Sequence, residues 1–214
     1  MATVSTDFRE YLPGQPPADW SPVILSDVDA AVGGGVAAPL DQSYLEVWRA
    51  AGLISGLKWD VLDGSGAVEM LAKIGPKATA TTSSAFLTAV RVAGSQSNES
   101  GAFVLLDRSG TAAEFRLRSL SGGFVHFTSD PVTKTFAHGA PFLYRWKVWD
   151  DSPGETLSSI RFWALGEDEP DTWDLEDLLI GTGGALPSTG AVAMMADPVR
   201  GEVRLYALGV ETDL

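Results

Sequence analysis

FLYRWKVWDDSPGETLSSIRFWALGEDEPDTW, residues 142–173, is the stretch whose reading decides the fold. In its first half Tyr144, Trp146 and Val148 fall on one side of a two-residue repeat and Arg145 and Lys147 on the other, the pattern of a strand with one buried and one wet face. Asp150 to Glu155, with Pro153-Gly154 inside it, is a turn by composition. In the second half Ile160, Phe162 and Ala164 share a face, and Gly166 ends the run. Two strands joined by a short polar turn predict an antiparallel hairpin, so the surrounding chain is to be read as a sheet protein.

Working back from Phe142, Phe124 to Thr128 is a short strand, and Thr111 to Ser119 alternates most cleanly. There Ala113, Phe115 and Leu117 point inward, while Glu114, Arg116 and Arg118 point outward with acidic neighbours to pair with, which argues against a basic binding patch. AFVLLD, residues 102–107, is a continuous apolar run suited to a strand covered on both faces, and Phe86 to Val92 alternates. Val68 to Ile74 contains good helix formers but is read as a strand. PKATATTSS, residues 76–84, and the glycines of Val32-Gly33-Gly34-Gly35-Val36 are read as loops; the latter lacks the Lys-Ser/Thr of a phosphate loop. Working forward from Trp173, Asp174 offers an N-cap to a short helical turn in DLEDLLI, and AVAMMA with EVRLYALGV forms a last hairpin. About twelve short strands, without a long amphipathic helix or an internal repeat, define an all-β chain: a two-layer antiparallel β-sandwich.

Arg161 through Trp173, RFWALGEDEPDTW, resembles the strand-and-loop signature of concanavalin A-like (laminin-G-like) jelly-roll domains, in which an aromatic strand runs into a Gly-acidic-Pro loop and then Trp. The resemblance covers roughly residues 7–212 and divides the chain into an extended N-terminal arm, residues 1–22, and a jelly-roll sandwich, residues 23–214. The arm, with Phe8, Tyr11 and Trp20 around PGQPPAD, is extended by its prolines. The resemblance also places Trp59 and Glu69 near the concave side of a sheet. Such domains are frequent in tailed-phage structural proteins. It therefore implies a non-enzymatic virion protein, a fibre, spike or decoration made in the host cytoplasm, whose partners are copies of itself, other virion proteins and host-surface glycans. The alternative it implies is a lectin-like carbohydrate-binding module of a bacterial system.

Composition narrows the partners. The formal net charge is −13, which repels nucleic acid and anionic membranes. With no cysteine there is neither a disulfide nor a thiolate metal site. No apolar run reaches the ~18 to 20 residues that span a bilayer, and MATVSTDFREYL lacks the basic-then-apolar order of a signal peptide.

Among groups that carry chemistry, Glu167, Glu169 and Asp171 stand at i, i+2 and i+4 and would share one face of a strand. A retaining glycosidase needs two carboxyl groups about 5 to 5.5 Å apart. Gly166 and Pro170 instead make the run a loop, and no catalytic residue is assigned. His126 and His138 lack metal-binding companions, and His126 is read as a partly buried structural residue. No metal ligand is assigned, although the resemblance admits calcium at a sheet rim, where Asp60 with Asp63 and Asp150 with Asp151 occupy turns. The seven tryptophans leave one further possibility. Trp20, Trp48 and Trp146 read as core, whereas Trp149, Trp163 and Trp173 lie out of phase with it or near loops. These three, with Asp171, are the candidates for a sugar-stacking platform.

Overall fold

The computed structural model describes residues 2–11, 17–23, 29–33, 43–48, 55–60, 66–76, 82–94, 98–109, 111–137, 140–196 and 203–212. Sixteen strands form two eight-stranded sheets among these residues. The first runs in the order β14 (Leu175–Gly181), β13 (Glu155–Ala164), β12 (Phe142–Ser152), β6 (Val68–Pro76), β16 (Val203–Thr212), β4 (Tyr44–Trp48) and β3 (Asp29–Gly33), with β1 (Ala2–Thr6) also on β16. The second runs β10 (Phe124–Thr128), β9 (Ala112–Ser121), β8 (Ser100–Ser109), β7 (Thr82–Ala93), β15 (Ala191–Ala196), β5 (Ser55–Trp59) and β2 (Trp20–Val23), with β11 (Val132–Thr135) also on β9. Every pairing is antiparallel. The all-β antiparallel sandwich is thus the fold.

The alternation read from the sequence places the core between the layers. On β12, Phe142, Tyr144, Trp146 and Val148 are buried, and on β9, Ala113, Phe115 and Leu117 are buried. Phe115 stacks on Phe162 of the opposite sheet with ring centroids 3.9 Å apart and meets Phe142 and Phe136 edge-on. Each fully buried side chain of this size contributes about 1.5 to 3 kcal/mol, so these facing rows hold the layers together. Polar atoms inside are paired: the Trp146 indole donates to Ser158 Oγ at 2.8 Å, and Tyr144 and Thr88 share a hydrogen bond across the layers at 2.5 Å. Burial pushes the Tyr144 phenol up, so it stays neutral. The opening segment joins the same core, with Phe8 against Trp20 and Trp20 stacked on Trp59 at 5.5 Å.

Several expectations are corrected. DLEDLLI is not a helical turn but β14, an edge strand on β13; Asp174 caps nothing and instead accepts the Phe162 amide at 2.8 Å and an ion pair from Lys134 at 2.7 Å. Four apolar residues in the six after a capping type are too short a signal to separate helix from edge strand. Trp59 is 2% exposed because its face is taken by Trp20, so it borders no concave surface. Val32 and Gly33 belong to β3, whereas Gly34, Gly35 and Val36, like His138 and Asp63, lie outside the described residues. The Trp48 side chain also lies outside the description. His126 is exposed, its Nε2 3.4 Å from Thr182 Oγ1.

Candidate functional site

The outer face of the first sheet carries the residues that alternate with the core rows. On β12 these are Leu143, Arg145, Lys147 and Trp149, all half-buried. Register fixes their neighbours. One row runs Arg161 (β13), Arg145 (β12), Leu71 (β6), Gly209 (β16), Ser5 (β1), and the next runs Trp163, Leu143, Lys73, Ala207.

Two arginines side by side repel, and the acidic loop resolves this. Glu169 accepts Nε and Nη2 of Arg145 at 2.5 and 3.0 Å and also pairs with Arg161, while Glu69 accepts Nη1 of Arg145 at 2.5 Å. Arg161 donates to the Pro170 carbonyl at 2.7 Å and lies over the Trp173 ring at 4.5 Å. Residues 165–174 are therefore latched onto the sheet. The hydrogen bonds from Arg145 hold the Glu169 carboxyl below the usual carboxylate range, and those from Glu169 raise the arginine. Glu169 stays ionised and tied. Glu167 is exposed and accepts the Ala164 amide at 3.3 Å, and Asp171 is exposed, so of the three Glu169 is the one that makes the latch.

Beside the latch the same face is hollowed into a groove of about 640 Å³. Leu71, Leu143 and Gly209 give it apolar lining, and Asp7, Glu10 and Lys73 give it charge. After β1 the chain turns sharply: Phe8 takes a left-handed φ of 61°, its amide donates to Thr6 Oγ1 at 3.0 Å, and its ring is buried. Such a backbone costs of order 1 to 3 kcal/mol and persists here because the ring is fixed in the core. The turn leaves Asp7 and Glu10 bordering the groove. Asp7 Oδ1 accepts the Arg9 amide at 3.2 Å and Glu10 Oε1 accepts Thr6 Oγ1. Among the described residues no hydrogen bond reaches the second oxygen of either. Lys73 rests 5.4 Å from the Tyr206 ring centroid. A Cβ at Gly209 would meet Ser5 Cβ and the Leu71 carbonyl at 4.0 Å, so the hollow there is real space.

The structure does not gather the tryptophan candidates into one platform. Trp149 is half-buried with the Lys147 ammonium 5.2 Å from its ring, Trp173 lies under Arg161, and Trp163 is 6% exposed, with no free face for a sugar. Asp171 is exposed on the latch loop. The groove residues went unread in the sequence. Their signal was there: Leu71 and Leu143 are apolar on the face where alternation calls for polar side chains.

No family model matches the sequence, and no curated protein sequence matches it. The fold has counterparts among solved structures, glycoside hydrolases, lectin domains and a protein of unknown function among them. A xylan β-1,4-xylosidase from Bacillus halodurans C-125 superposes with a TM-score of 0.57 at 12% identity, over 97% of this chain and 38% of that one. A GH43 glycoside hydrolase described as having endo-xylanase and exo-arabinofuranosidase activity gives 0.55 at 10%, over 100% of this chain and 41% of that one. The chain thus spans about two fifths of the length of these enzymes. The exoplasmic/lumenal domain of VIP36, in a form bound to Ca²⁺ and Man2, gives 0.55 at 13%, over 98% of this chain and 88% of that one.

The concanavalin-like resemblance holds for the fold, and a virion association gains nothing from these neighbours. The expectation of a non-enzymatic protein is corrected, because glycoside hydrolases stand among the neighbours that share the whole of this sandwich. Calcium accompanies VIP36; of the turn aspartates named for it here, Asp60 and Asp150 have protein partners and Asp63 lies outside the described residues. Asp60 is held by Ser21 at 2.6 Å and Lys58 at 3.2 Å, and Asp150 is held by Arg91 at 2.6 Å and Thr156 at 2.9 Å. Among the described residues no three His, Asp or Glu side chains group to hold a metal ion.

Proposed function

We propose that this chain is a carbohydrate-recognition domain that takes an oligosaccharide into the groove between the β1 turn and strands β6, β12 and β16. The groove carries the reading. Its volume lies in the range of small-ligand sites, its lining combines apolar side chains for the ring with carboxylates and an ammonium for hydroxyls, and it lies on an exposed face. The sugar-bound form of VIP36 and the xylan-directed activity of the xylosidase, on the same fold, support a glycan as the ligand class. The virion setting expected from the sequence has no observation in its favour, and glycan recognition stands without it.

The test is calorimetric titration with xylo-, manno- and cello-oligosaccharides, on the wild type and on Gly209→Val. Valine is at home on a strand and would fill the groove. The expected result is binding of at least one series by the wild type, loss of at least tenfold in affinity in the variant, and unchanged thermal stability. Absence of binding across the panel, or a Gly209→Val protein that binds like the wild type, would overturn the proposal.

A further inference from the structure

The groove has a charge character that constrains its ligand further, on the reading that it binds glycans. Asp7 and Glu10 both line it, each with a carboxylate oxygen that no hydrogen bond reaches among the described residues. Lys73 is the cation in the lining, and its ammonium is drawn to the Tyr206 ring. The next cation along the floor, Arg145, is already bound by Glu69 and Glu169, and Arg161 shares Glu169. Glu211 faces Glu69 across β16 and β6, one row from Gly209. Lys147 stands opposite Glu69 in that same row, so the excess of anions lies in the lining itself, where two carboxylates meet one ammonium, in a chain whose formal net charge is −13.

We infer that the groove ranks sugars by charge, taking amino sugars in preference to neutral ones and rejecting uronic acids. An ammonium at the rim would meet the open oxygens of Asp7 and Glu10 in charge-assisted hydrogen bonds, and neutral hydroxyls would donate to the same oxygens. A sugar carboxylate would face them with like charge. At the separations of a rim contact, between the bulk-water and protein-surface limits, one unit of charge changes the energy by about 1.4 kcal/mol, which is tenfold in affinity. Salt screens this, since the Debye length is about 10 Å at 0.1 M.

The test keeps ring geometry constant and changes charge alone. Cellotetraose, its 2-amino counterpart and its 6-carboxyl counterpart are titrated into the full chain at pH 6 in about 0.02 M salt and again in about 0.3 M salt. Affinity is expected to fall about tenfold from amino to neutral and again from neutral to carboxyl, with both gaps narrowing in the higher salt. The double variant Asp7→Asn, Glu10→Gln is expected to bind all three alike. A carboxyl ligand that binds as tightly as the neutral one, or no binding by any of the three, overturns the charge ranking, whereas glycan recognition falls only if the xylo-, manno- and cello-oligosaccharides all fail to bind.

Discussion

Arg91 is a fully buried arginine near the end of the sandwich, and its partner invites an asymmetric test. A register shift in β7 between Val90 and Ala93 turns this residue inward at a φ of 54°. Its guanidinium meets Asp150 at the end of β12 at 2.6 Å and the Gly66 carbonyl at 2.6 Å, tying the second sheet to the first. The arginine side chain is 0% exposed and the Asp150 side chain 37%. Asp150→Ala would strand a buried cation with one carbonyl, which costs about 3 to 5 kcal/mol, with water reaching the open side of the site favouring the lower figure. Arg91→Met removes the buried charge itself and returns Asp150 to water, leaving stability within about 2 kcal/mol of wild type. The double variant should resemble Arg91→Met and not the sum of the singles. Urea denaturation, read as midpoint shifts at constant slope, measures all four proteins. An Asp150→Ala cost below about 1 kcal/mol, or a larger cost for Arg91→Met than for Asp150→Ala, would refute the reasoning.

Other consequences are as direct. The Glu169 carboxyl is held low in the folded state, so its stabilising effect is complete above the unfolded value of 4.5 and is lost as pH falls through the folded one. Melting temperature should therefore fall below pH 4.5, and Glu169→Gln should flatten that acid limb, as a pH series of thermal melts would show. Tyr144 behaves oppositely: its folded value is raised, so stability falls as pH climbs above 10, and Tyr144→Phe should remove that part of the alkaline loss. Ser158→Ala leaves the buried Trp146 indole without its 2.8 Å partner and should cost about 1 to 3 kcal/mol in the same urea assay. Gly190→Ala should be severe, because at a φ of 153° the added Cβ would stand 2.5 Å from the Arg91 carbonyl carbon; soluble yield and midpoint report it.

The parts of the fold legible in the sequence are those that local alternation controls. Phe115 and its neighbours on β9, and the rows of β12 and β13, follow from a two-residue repeat because a strand with one wet face can satisfy its side chains in only one register. At Leu175 to Ile180 a capping signal misled, since an edge strand makes weak demands on pattern, and the place the resemblance implied for Trp59 is overridden by Trp20, nearly forty positions earlier. The acidic run was readable as a loop from Gly166 and Pro170. Its role as a latch was not, since Arg145 meets Glu169 and Glu69 only once β12 lies between β13 and β6. The groove was hidden for the same reason: Asp7, Leu71, Leu143 and Gly209 come from four separated stretches, and only register brings them to one surface.

Strand β16 pairs with β6 along one side and with β4 and β1 in series along the other, so that Ala2 faces Thr212. On the ribosome this makes the order of synthesis run against the order of assembly. Until residues 203–212 emerge, β6 lacks one neighbour and β4 has only β3, and β1 has no edge to join; contacts this distant in sequence also close slowly. Until then the nascent chain exposes unpaired strand edges, the feature through which sheets join other chains.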